Sequence, residues 1–177
     1  MLAAGTCNLK GIIMNKKVLV LLTLVPILTG YLLNISILIP GLGTLLFYLI
    51  PCATLIFWFY LGNRYSRTNW NILQATVLGN CIGFISFLLY LWQFYFRNDE
   101  NRSLFISGIS QLFVSGISLF TAKFAQLFES QVNTITQTSY TTMQILGLLL
   151  MVIIFMIGYV FGKVKARGGN IVEVNSF

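Results

Sequence analysis

Four stretches of this sequence, residues 18–39, 44–61, 72–96 and 142–162, are almost wholly apolar. Each is close to the roughly 20 residues that an α-helix needs to cross a hydrocarbon layer about 30 Å thick. Inside such a layer no water is at hand for the backbone N–H and C=O groups, so a segment that crosses it is a helix or a strand of a closed barrel. Barrel strands alternate polar and apolar residues, and these runs do not. The expected fold class is therefore an all-α integral membrane protein, a small polytopic helical bundle forming one domain over residues 1–177. Composition agrees: 57% of the chain is hydrophobic and 8% charged, against about 45–50% and about 25% in soluble domains.

Pro26 and Pro51 fall inside the first two runs, where neighbouring helices can satisfy the carbonyls that a proline frees. The uncharged turn Pro40-Gly41-Leu42-Gly43 makes those two runs an antiparallel hairpin. Trp58, Tyr60, Trp70, Trp92 and Tyr95 stand near run ends, as aromatic residues do at membrane interfaces. At the start, Met14-Asn15-Lys16-Lys17 leads directly into an apolar run, the pattern of a bacterial export signal. The run continues to Ile39 without a small-x-small cleavage site, which makes it a signal anchor. Residues 1–17 then read as an N-terminal arm, or as an extension upstream of a start at Met14, and residues 163–177 as a flexible basic tail.

Residues 104–128 are different. Phe105, Ile109, Leu112, Phe113, Ile117, Phe120 and Phe124 recur at helical spacing, while Ser107, Ser110, Gln111, Ser118 and Thr121 occupy other faces. This is the pattern of an amphipathic helix lying in the interface, re-entering the bilayer, or crossing it a fifth time. Basic residues gather on the cytoplasmic side of membrane proteins. Four crossings put Lys10, Lys16, Lys17, Arg64, Arg67, Lys163, Lys165 and Arg167 inside against Arg97, Arg102 and Lys123 outside, eight to three; five crossings give six to five. Four crossings are expected, with both termini cytoplasmic and the polar side of 104–128 wet.

The same rule accounts for the net charge of +7 without a nucleic acid. The cytoplasmic basic residues Lys16, Lys17, Arg64, Arg67, Lys163, Lys165 and Arg167 hold orientation and meet anionic lipid, or dock a partner. Chemistry finds little to work with. The acids Asp99, Glu100, Glu129 and Glu173 all lie outside the four runs, and the chain has no histidine. A proton relay, an aspartyl protease or a metal site thus lacks residues, and no cofactor is expected. A serine near Lys123 has no third group to orient a nucleophile. Cys7, Cys52 and Cys81 have no paired spacing and read as small apolar residues.

The packing signals are clearer. Ala75, Gly79 and Gly83 repeat every fourth residue, and Gly158 and Gly162 do so in the last run, a stripe that lets another helix approach closely, within the chain or in a dimer. Asn80, Ser107, Ser110, Gln111, Ser118, Thr121 and Gln144 could bond across helices or line a polar path. Two functions are compatible with these features. One is a non-enzymatic accessory, interaction or immunity-type subunit of the bacterial cytoplasmic membrane, with the lipid bilayer, a membrane protein or a second copy as partner. The other is a small transporter or channel component whose path those polar residues line.

Overall fold

The computed structural model describes residues 16–125 and 136–174, with side chains except at positions 99, 123, 125 and 167–174. Among these residues every regular element is a helix. The first run divides into α1 (Lys16–Leu22) and α2 (Val25–Ser36). Pro26 has no N–H to continue α1, and the chain turns at Thr23, whose N–H and hydroxyl both donate to the Val20 carbonyl (3.1 and 2.7 Å). The hairpin that follows turns on Gly41, whose φ of +77° suits only glycine without strain.

Helix α3 (Leu42–Tyr65) carries Pro51 unbroken. A capping box between Asn71 and Gln74 then starts α4 (Ile72–Gly79). At Asn80 the chain bends by 54° into α5 (Cys81–Tyr95). A short 3₁₀ turn, Asp99–Asn101, precedes α6 (Leu104–Ser115) and α7 (Ser118–Ala125). The last helix, α8, runs Gln137–Val174.

Three stretches are long and apolar enough to cross a membrane: Lys16–Ser36, Leu42–Tyr65 and Gln137–Ala166. The bent pair α4–α5 makes a fourth if it counts as one span. One expectation needs correction. Residues 104–128 do not form one helix, because the chain breaks at Gly116-Ile117; residues 126–128 lie outside the described residues. Within the stretch from 163, α8 stays helical through Val174, and residues 175–177 lie outside the described residues. The N-terminal arm lies outside the described residues up to position 15.

The helices meet where glycine removes a side chain. Gly62 of α3 lies against the Phe155 carbonyl of α8, and Gly158 of α8 against the Phe59 carbonyl of α3, so the two backbones touch. Around this crossing Trp58, Tyr65, Phe113, Met151 and Phe155 are fully buried. Trp58 meets Phe113 edge-on (5.8 Å between centroids, 81°) and lies tilted on Phe155 (6.2 Å). The outer surface is the apolar one: Leu28, Ile56, Leu73, Leu88 and Ile153 are among many large hydrophobic side chains left exposed, the arrangement that a lipid solvent requires.

Contacts also order the two ends of the bundle. Lys16, Tyr65, Trp70 and Tyr159 share one end, linked by the stacking of Tyr65 on Trp70 (5.4 Å) and by the Tyr159 hydroxyl donating to the Trp70 carbonyl (2.7 Å). At the other end, the Ser103 N–H donates to the Gln93 side-chain carbonyl (3.0 Å), and the Gln137 amide donates to the carbonyl of the next residue, Phe94 (2.7 Å). The chain between Ser103 and Gln137 thus leaves and returns to the same end. The α8 residues that mark the two levels, Thr141 and Tyr159, are separated by a rise of about 27 Å, close to a hydrocarbon thickness.

Replacing Gly62 or Gly158 by leucine drives a branched side chain into a facing carbonyl. Each variant is expected to lose about 1–3 kcal/mol of stability, read as a lowered thermal midpoint in detergent. Gly108, where an added Cβ meets nothing within 4 Å, should tolerate alanine unchanged.

Candidate functional site

Among the described residues, the polar side chains inside the bundle are the candidates for a site, and they fall into separate groups. The first is the seam between α5 and α6. These helices run antiparallel, with Gly83 against Phe113, Ser86 against Ser110 and Gln93 against Ser103. The Ser86 hydroxyl donates to the Ser110 carbonyl across the seam (2.8 Å). Within α6, the Ser110 hydroxyl and the Gln111 amide both donate to the Ser107 carbonyl (2.8 and 3.1 Å). The Ser107 hydroxyl is buried without a partner. At the mouth of the seam Arg102 donates to the Gln93 main-chain carbonyl (3.2 Å), and its guanidinium lies over the Phe94 ring (4.6 Å).

The second group surrounds Asn80, which is fully buried at the α4–α5 bend. Its side-chain carbonyl accepts from the Trp58 indole N–H (3.2 Å), and its amide donates to the Thr76 carbonyl (2.9 Å). The first bond ties α3 to the bend, and the second closes on the preceding turn of α4. Farther along, Thr121 is buried and donates to the Ser118 carbonyl (3.3 Å), Ser118 is half-buried, and Gln144 is buried in α8.

The structure therefore brings Ser107, Ser110 and Gln111 together, and keeps Asn80 apart from them. Three grooves on the described surface are lined by other residues. One follows the outer face of α8 from Ile153 to Val164, one lies beside Trp70 and Leu73, and one beside Ile37 and Phe47. None includes any of the seven residues proposed for a polar path.

The wet polar face expected for residues 104–128 is also corrected. Ser107 and Ser110 are turned inward at 5% and 0% exposure, while Leu104 and Phe105 point outward at 85% and 75%. The physical reason is compactness: a serine that bonds its own preceding turn is small and already satisfied, so it suits a close helix contact and leaves the outer face to large apolar groups.

The small-residue positions all face neighbours within the chain. Ala75 is fully buried, Gly79 lies under the Phe155 ring, and Gly83 faces Phe113 and Leu148; Gly158 faces the Phe59 carbonyl, and Gly162 faces Ser66 and Asn63. Sequence reasoning passed over Gly30, which admits the Leu112 carbonyl and Ser115 of α6. It also passed over Thr141, whose hydroxyl shares hydrogen bonds with Tyr90 (3.0 Å) and Tyr95 (2.9 Å). Neither carried a signal, since a lone glycine has no spacing and a lone threonine no motif.

Several of the basic residues rest on aromatic rings. Lys16 lies over Trp70 (5.4 Å), Lys163 over Tyr159 (5.7 Å), and Arg64 over Tyr60 (4.8 Å). Lys17, Arg67 and Lys165 are exposed. The side chains of Arg167 and Lys123 lie outside the described residues. Among the described residues no group of three or more His, Cys, Asp or Glu could hold a metal ion.

Asn80→Ala removes the acceptor of a buried indole N–H and should cost about 1 kcal/mol; Ser86→Ala should cost less, about 0.6 kcal/mol, because the Ser110 carbonyl keeps its place in the helix. Thermal unfolding in detergent, followed by tryptophan emission, measures both. The chain matches no protein-family model, no curated protein and no solved structure.

Proposed function

We propose that this chain is a multi-pass protein of the bacterial cytoplasmic membrane that acts without catalysis, as an accessory, interaction or immunity-type subunit. The observation that carries this reading is how the buried polar side chains are engaged. Asn80 binds Trp58 and Thr76, Ser86 binds α6, and Ser110 and Gln111 bind their own helix. Side chains spent in this way tie helices together or close on their own helix and are not free to pass a solute along, while among the described residues Ser107 and Thr76 keep unpartnered hydroxyls. The four runs also contain no carboxylate, the usual means of coupling transport to protons or cations. What remains for recognition is the apolar outer face, suited to lipid, a membrane protein or a second copy, and the basic end.

The proposed topology has four crossings with the basic end in the cytoplasm. Its support is the pair Gln93 and Phe94, which bind both ends of the 103–137 segment on one side of the bundle. Helix α6 is 12 residues long, about 18 Å of rise. It reaches Trp58, Gly83 and Gly147 through Phe113 and Val114, and is therefore read as the entering limb of a re-entrant element. The eight-to-three distribution of basic residues supports the same arrangement.

Purified protein in liposomes should leave the permeability to small ions and neutral solutes at the level of empty vesicles. A flux rising in proportion to protein would favour the transporter reading. For topology, a reporter active only in the cytoplasm should be active when fused after Phe177. Cysteines at Ser107 and Ser110, in a background free of other cysteines, should resist a membrane-impermeant thiol reagent that labels Asn101→Cys from outside. An inactive fusion would favour five crossings.

A further inference from the structure

We propose that the basic end of the bundle holds one anionic phospholipid headgroup between Lys16 and Lys163. This inference rests on the membrane-spanning reading and goes beyond it, by assigning a defined lipid site to two side chains. Four contacts carry it. The Lys16 ammonium lies 5.4 Å from the centre of the Trp70 ring. The Trp70 carbonyl accepts from the Tyr159 hydroxyl at 2.7 Å, and the Lys163 ammonium lies 5.7 Å from the Tyr159 ring. Trp70 is itself braced on Tyr65, 5.4 Å away. Two cations far apart in the sequence are thus each seated on one ring of the hydrogen-bonded residues Trp70 and Tyr159, on a ring face that orients the charge without neutralising it.

Charge complementarity identifies the occupant. Lys16, Arg64, Arg67, Lys163 and Lys165 share this end, and among the described side chains no carboxylate lies there. The end is also where the apolar flank of α8 gives way to polar residues, with Val160 and Phe161 exposed just before Lys163. A lipid phosphate would meet both ammoniums there, while its acyl chains follow the apolar groove along Ile157, Val160 and Phe161. A soluble phosphate would use the cations but leave that groove empty. Tryptophan and tyrosine at the headgroup level complete the chemistry of an interfacial lipid site.

Native mass spectrometry of the full chain in detergent, titrated with phosphatidylglycerol or with phosphatidylcholine of the same acyl chains, tests the proposal. The first phosphatidylglycerol should bind more tightly than the first phosphatidylcholine. Lys16→Gln and Lys163→Gln should each weaken it by about fivefold, while Arg67→Gln and Lys165→Gln, which remove the same charge, change it by less than about twofold. Lys16 is exposed and Lys163 half-buried, so folding of each variant is checked by an unchanged thermal midpoint. An equal loss at all four positions would mean diffuse surface charge and overturn the site. So would a lack of preference for the anionic lipid, or displacement of the lipid by millimolar glycerol phosphate. A protein that fails to resist carbonate extraction from phosphatidylcholine vesicles would overturn the membrane reading and this site together. One that resists extraction but shows no preference overturns the site alone.

Discussion

The rest of the bundle depends on two helix backbones touching. Gly62 and Gly158 let α3 and α8 approach until each meets the other's carbonyl, and the aromatic core is arranged around that crossing. Phe155 is the hub: Trp58 and Tyr65 pack on it from α3, and Gly79 brings α4 over its ring. In lipid there is no hydrophobic drive pushing helices together, so contact must come from dispersion and from hydrogen bonds across the interface. Dispersion falls steeply with separation. Small residues at crossings are therefore the condition for any adhesion, and large rings then fill the spaces that close approach creates.

Polar side chains follow the same logic. Ser36, Thr54, Ser110 and Ser115 all donate to carbonyls three or four residues earlier in their own helices, as Thr23 does from the turn after α1. A hydroxyl satisfied in this way costs little to bury and occupies little space. Other bonds pass between helices, among them Trp58 to Asn80 at the bend, Ser86 to Ser110 along the seam, and Tyr90 and Tyr95 to Thr141. They fix register where smooth apolar surfaces could slide.

Much of the helical architecture was legible in the sequence, because apolar run length is a direct reading of the solvent. The interruption of the first run was foreshadowed by Pro26. The bend at Asn80 was not, since no proline marks it and the indole that holds Asn80 lies 22 residues away. For 104–128 the periodicity was correctly helical up to Gly116, yet its sidedness was read as though the serines faced water; they turn in, and Leu104 and Phe105 turn out. The candidate polar residues were recognisable by type. Their partners were not, because Ser86 and Gln93 are reached only after α6 folds back antiparallel. Small residues repeating every four marked Gly79, Gly83, Gly158 and Gly162, whereas Gly30 and Gly62 stood alone and gave no pattern.

The adjacent residues Gln93 and Phe94 have a consequence for how the chain is assembled as it is made. The bond from Ser103 closes a loop of ten residues and can form as soon as the ribosome has delivered it. The bond from Gln137 spans 43, and α8 must emerge before α7 and Val114 gain the surface on which they pack. Until then the segment after α5 has one anchored end, with α6 packed on α2 and α5 while Val114 lacks its contact at Gly147. Biosynthesis therefore passes through a stage at which the last helix ties down the far end of this segment and, in the same event, closes the interior. A chain cut short before α8 would lack both partners at once.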